Sequence, residues 1–166
     1  MAKIKILHLE PEEALKHAIQ VEMDLERFCE AALERAETAR QREVFEKISS
    51  EEHSHRQFFE RRYEELTGRR ILYLNVDRRR RLAEIALCPE AGRSLLEQAV
   101  ENEERAATFY DDAARLIQPG WLRAKFEEMA NTEREHLAWL RACAAEEAGA
   151  SGRAAGERSR VGARAA

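Results

Sequence analysis

Apolar residues recur every three or four positions in four long stretches of the chain, the spacing of one buried face on an α-helix. Leu15, Ala18, Ile19, Leu25, Cys29, Ala32 and Leu33 mark the first, and Pro11 is placed to begin it. A first-turn proline forgoes only an N–H that would be unpaired anyway. Val44, Phe45, Ile48, Phe58, Phe59 and Leu66 mark the second, which Gly68 closes as a left-handed C-terminal residue. Leu95, Leu96, Ala99, Val100, Tyr110, Ala113 and Ile117 mark the third, and Pro119-Gly120 stops it. Trp121, Leu122, Phe126, Met129, Leu137, Leu140 and Cys143 mark the fourth. Residues 69–92 form the one long connection, where Ile71 to Leu74 and Leu82 to Leu87 predict a short helix. From Gly149 onward the chain holds four of its seven glycines and a single large aliphatic, Val161, which predicts a disordered tail over 149–166.

An internal repeat organises the rest. A shift of 81 positions places Leu15 on Leu96, Ala18 on Ala99, Glu22 on Glu103, Phe28 on Phe109 and Ala32 on Ala113. Without any gap it continues through Arg42 on Arg123, Phe45 on Phe126, Glu46 on Glu127, Glu52 on Glu133 and His55 on His136. Each unit reads as a helical hairpin. One hairpin cannot bury its apolar stripe alone, so the two are expected to pack as an all-α four-helix bundle over residues 1–148.

Composition agrees with this and excludes several classes. The 166 residues fit one domain. Glu (28) far outnumbers Asp (4), and with three Pro this is the composition of a helix former, not of a sheet. No apolar run exceeds four residues, whereas a bilayer span needs about 20, and Met1 to Glu10 carries no signal-peptide core. Cys29, Cys88 and Cys143 are odd in number and far apart, with no Cys-x-x-Cys. This argues against a disulfide framework or a thiolate zinc or iron site, and for a reducing, cytoplasmic setting. A net charge of −4 gives no reason to expect nucleic-acid binding. The basic clusters Arg69-Arg70 and Arg78 to Arg81 read as solvated surface.

Chemistry enters where the stripe carries acids. Glu22, Glu52, Glu103 and Glu133 fall at positions the apolar pattern buries. One ionised carboxylate buried without a partner costs on the order of tens of kcal/mol by a Born estimate, so four together demand a counter-charge. No basic residue shares the face. Two histidines do, His55 three residues after Glu52 and His136 three after Glu133, and an i, i+3 pair directs both side chains to one side of a helix. Two Glu-x-x-His pairs can therefore hold two divalent cations, whose charge balances the four carboxylates. Glu22 and Glu103 each stand 30 residues before their Glu-x-x-His histidine partner's Glu, so in antiparallel hairpins the turns centre near positions 37 and 118. Carboxylate and imidazole donors without thiolate suit iron or manganese, with zinc as an adventitious occupant.

A single Glu three residues before a His is expected by composition roughly one time in six, and is ordinary surface decoration. The repeat, the preceding Glu and the buried stripe set these two apart. His53, beside the stripe, reads as solvated, and His8 and His17 as surface residues. Tyr110 lies two turns beyond Glu103, where the first repeat has Cys29, and is a candidate redox-active neighbour of the metals. Tyr63, Trp121 and Trp139 read as core.

At these residues the sequence resembles the rubrerythrin branch of the ferritin-like superfamily, in which a first-helix Glu and a second-helix Glu-x-x-His recur on helices three and four. The resemblance covers about residues 11–148, with Glu22...Phe28 and Glu103...Phe109-Tyr110 as its specific pattern. It implies a ferritin-like bundle whose Glu22, Glu52, His55, Glu103, Glu133 and His136 hold two irons that react with hydrogen peroxide or dioxygen, in a protein expected to be a homodimer. Rubrerythrins carry a rubredoxin-like domain, where this chain has its Gly/Ala/Arg tail, so an external donor such as a rubredoxin is expected to supply electrons. They also use a further Glu three residues beyond the third-helix ligand, where this chain has Ala106. The remaining six residues equally resemble bacterioferritin and other ferritin-like oxidases, which makes ferroxidase activity in iron detoxification or storage the second reading. A metal-free helical interaction protein is the reading from another class, and the buried acids oppose it.

Overall fold

The structure is a computed structural model that describes residues 9–71 and 83–164, with side chains described as far as residue 150. Its elements are α1 (Pro11–Leu33), α2 (Ala39–Thr67), α3 (Leu95–Leu116) and α4 (Trp121–Arg164), and no strand occurs among the described residues. The helix boundaries follow local chemistry. Pro11 opens α1, while the hydroxyls of Thr38 and Ser94 accept from the Gln41 and Glu97 N–H groups to cap α2 and α3. Gly68 ends α2 at φ 68°, a left-handed conformation that favours glycine. The loops at 34–38 and 117–120 contain the two expected turn positions.

Each hairpin packs closely within itself, α1 on α2 and α3 on α4, and the two hairpins meet through α1 with α3 and α2 with α4. The described end of the connection between α2 and α3, residues 83–94, reaches the α1–α2 turn. The Arg35 guanidinium, at the α1–α2 turn, donates to the Pro89 carbonyl at 2.6 Å, so α3 starts at the end of the bundle where α2 started. Those two helices are consequently parallel. Asn102 fastens the returning segment, donating to the Ala86 carbonyl (3.1 Å) and accepting from the Ala86 N–H (2.9 Å). Gln98 accepts from the Glu90 N–H at 2.6 Å.

Part of this connection was expected to form a short helix. Residues 83–94 hold only turns, bends and irregular backbone, and the rest of that expectation, with Leu72 to Leu74, the Arg78 to Arg81 cluster and His8, lies outside the described residues. Beyond Gly149, where the sequence reading ends the bundle, the α4 backbone runs on to Arg164. Tyr63 is buried as expected, but Trp121 and Leu66 are exposed. Trp121 stands at the first position of α4, before the helix has turned its stripe inward, and its ring is covered by the Arg62 guanidinium 4.8 Å away. Among the described residues no helix is long and apolar enough to cross a membrane.

The core falls into two apolar clusters. One gathers Leu15, Ile19, Leu25, Phe59, Phe109, Tyr110, Phe126 and Met129, and the other Phe28, Cys29, Phe45, Ile48, Leu96, Leu140 and Cys143. Glu22, Glu52, Glu103, Glu133 and His136 are buried but belong to neither cluster. The interior is divided by its polar residues.

Candidate metal centre

All six residues singled out by the repeat converge. Glu22 comes from α1, Glu52 and His55 from α2, Glu103 from α3, and Glu133 and His136 from α4. Four carboxylates at no more than 1% exposure sit together, and none of the ion pairs that lysines and arginines make among the described residues involves them. Two groups of four form, Glu22, Glu52, His55 and Glu133, and Glu52, Glu103, Glu133 and His136. In each, one donor atom from every member lies within 4.8 Å of the others, so each could hold a metal ion. Glu52 and Glu133 are common to both groups. Spacing along the chain gave each Glu-x-x-His its own ion; the folded geometry instead makes the glutamates of these pairs shared groups.

Both imidazoles present Nδ1 to the carboxylates. His55 Nδ1 is 3.3 Å from Glu22 Oε2 and 3.3 Å from Glu52 Oε2. His136 Nδ1 is 2.9 Å from Glu52 Oε1, 3.2 Å from Glu133 Oε2 and 3.5 Å from Glu103 Oε2. The rings stand with centroids 6.3 Å apart. One oxygen of each carboxylate, Oε2 of Glu22 and Glu103 and Oε1 of Glu52 and Glu133, is buried without a well-directed hydrogen bond, although all but the Glu133 oxygen lie within 3.5 Å of an imidazole Nδ1. A buried acceptor without a well-directed hydrogen bond costs about 1–3 kcal/mol, more when charged, and a cation would satisfy four such oxygens better than two imidazole nitrogens can. Neutral imidazole with hard carboxylate oxygens is a donor set for iron, manganese or zinc.

Burial and like charge shift two of the four acids toward their protonated forms. Burial first, and then the charge of Glu22, push Glu52 well above the usual carboxyl range, and burial with the charge of Glu52 does the same to Glu133. Burial opposes charge on the histidines, yet hydrogen bonds to the carboxylates outweigh it and raise both His55 and His136. Burial would also raise Glu22, but hydrogen bonds with His55, Glu52 and Tyr110 bring it below its ordinary value.

The surroundings divide into a roof and a set of outer contacts. Tyr110, fully buried, donates its hydroxyl to Glu22 Oε1. Its ring packs on Phe109, Phe126 and Phe59 at centroid distances of 4.9, 5.4 and 6.2 Å, forming an aromatic layer over one side of the acids. Burial pushes the phenol well above its ordinary pKa, so it remains a proton donor to Glu22. Cys29, the counterpart of Tyr110 in the repeat, is buried and held as a thiol by burial and the nearby acids. His53 is exposed and pairs with Glu26 at 2.7 Å, apart from the centre, and His17 is partly buried.

One contact had no sequence signal. His136 Nε2 lies 3.1 Å from Glu51 Oε2, on the far side of the ring from the Nδ1 that faces the four buried acids, so the ring is held at both ends. Glu51 and His136 are 85 positions apart and Glu51 has no acidic counterpart in the repeat, so neither periodicity nor repetition marks it.

No family model matches the sequence, and no curated protein matches it. By structure the chain is similar to "Hypothetical Protein Pfu-1136390-001" from Pyrococcus furiosus, with a TM-score of 0.66 at 22% identity over 81% of this chain and 87% of that one. At that identity the likeness is one of fold.

Proposed function

We propose that the protein is a non-haem di-iron oxidoreductase of rubrerythrin type that reduces hydrogen peroxide with electrons from an external donor protein such as a rubredoxin. The observation that carries this reading is the pair of four-residue groups sharing Glu52 and Glu133, with an oxygen on each of four buried carboxylates that has no well-directed hydrogen bond. Glu22 and His55 would complete one metal position, and Glu103 and His136 the other. Iron in the ferrous state held there would supply the two electrons that, with two protons, convert one peroxide to two waters. The chain's part is to hold and exclude. Glu52 and Glu133 keep both positions at one level of the bundle, and Tyr110, packed among phenylalanines, fixes the orientation of Glu22 through its hydroxyl.

Ferroxidase activity is the second reading, and Ala106 favours it. This residue lies three positions after Glu103, fully buried in the apolar cluster, where rubrerythrins would place a further carboxylate. The diferrous protein, prepared anaerobically, is mixed by stopped flow with peroxide or with air-saturated buffer, and the diferric absorption is followed. Peroxide is expected to oxidise it faster, with both ions retained. Faster oxidation by dioxygen, with many ferrous ions turned over per chain, would replace the peroxidase reading by the ferroxidase one.

A further inference from the structure

The repeat places Thr132 where the first hairpin has Glu51, and this single difference makes the two histidines unequal. His136 is fully buried and gripped at both nitrogens, Nδ1 by the carboxylates and Nε2 by Glu51 at 3.1 Å. His55 has no such outer partner. The Thr132 hydroxyl turns back to its own helix and donates to the Glu128 carbonyl at 3.3 Å. His55 Nε2 makes no hydrogen bond among the described residues, and its side chain is 18% exposed.

A metal-bound imidazole whose far nitrogen is held by a carboxylate has a fixed ring orientation and a more basic donor atom. Loss of such an outer partner typically weakens metal binding by about 10- to 100-fold. We infer that the two metal positions are kinetically distinct: the one completed by Glu103 and His136 is retained, and the one completed by Glu22 and His55 faces solvent and exchanges. Tyr110 still anchors Glu22, so the exchange arises at the imidazole and not at the carboxylate. Glu51 is thereby a positioning residue for His136, and the His55 side is where cations enter and leave.

This inference rests on the two-metal reading, and cobalt(II) as a spectroscopically visible probe tests the two separately. The full chain is loaded with cobalt, the bound stoichiometry is measured, and excess chelator is added while the visible absorption is followed. The expected result is two ions leaving in two equal phases whose rates differ at least about tenfold. Glu51→Ala is expected to accelerate the slow phase alone, by about 10- to 100-fold, while Glu51→Gln, which keeps an acceptor oxygen, restores part of the difference. Thr132→Glu is expected to slow the fast phase. A change confined to one phase is not what general loosening of the bundle produces. Two ions leaving in a single phase, or a slow phase indifferent to both Glu51 variants, would overturn the inference and leave the two-metal reading standing. Saturation below two ions per chain would overturn both.

Discussion

At the scale of the residue, the centre is defined by protonation. Glu52, Glu133, His55 and His136 all bind their protons more tightly in the fold than their ordinary values of 4.5 and 6.5 allow. Groups raised in this way contribute stability that is complete below the unfolded pKa and is lost as pH rises through the folded one. Glu22, which is lowered, acts in the opposite sense, contributing above 4.5 and losing its contribution on acidification. Four raised groups against one give the direction. The melting temperature of chelator-treated protein is expected to fall as pH rises from about 5 to about 8, whereas the metal-loaded protein gains, because ligands must shed protons to bind. Thermal melts of both forms across that range check this. A chelated protein that grows more stable toward pH 8 would mean that the carboxylates are ionised and solvated.

Residues also show what the chain alone discloses. The six converging side chains were legible because Glu22, Glu52 and His55 are written twice at one spacing on an apolar stripe. Glu51 was not, for the converse reason: it breaks the repeat and acts across 85 positions. The sharing of Glu52 and Glu133 escaped too, since helical spacing tells which face a carboxylate occupies and not which neighbours its two oxygens reach. Trp121 misled because hydrophobicity marks the stripe without marking where the helix first becomes buried.

At the scale of the element, the hairpins follow from caps and turns, and the returning segment between them is the part whose placement the pattern left open. It is held by side-chain amides. Asn102 is 1% exposed and serves both backbone groups of Ala86, a job no apolar side chain can do. Asn102→Ala is expected to destabilise the protein by about 1–3 kcal/mol, the penalty for leaving buried backbone groups unpaired. Urea unfolding would measure it. A loss below about 0.5 kcal/mol would show that water replaces the amide at no cost.

At the scale of the whole molecule, two apolar clusters meet across an acidic layer, so binding energy at the centre acts on the stability of the entire bundle. Any ion that binds the folded ligands and not the unfolded chain adds about 2.7 kcal/mol at a hundredfold excess over its dissociation constant. Chelation is expected to lower the melting temperature, and Glu52→Ala with Glu133→Ala to abolish that sensitivity, since both positions lose their common groups. Calorimetry of the original and doubly substituted chains, with and without chelator, tests the pair of statements. Identical melts of the original chain before and after verified metal removal would contradict the first.

The repeat has the symmetry of a dimer enclosed in one chain: α1 meets α3, α2 meets α4, and each hairpin supplies three members of one group of four and one of the other. Two separate copies of a hairpin would be bound to sameness, since any substitution would appear on both sides of the axis. Joined end to end, the halves are free to diverge, and they have done so around the centre: Tyr110 stands opposite Cys29, Trp139 opposite Phe58, and Glu51 opposite Thr132. A repeat held within one chain thus gives a small bundle something symmetric assembly denies it, a left and a right.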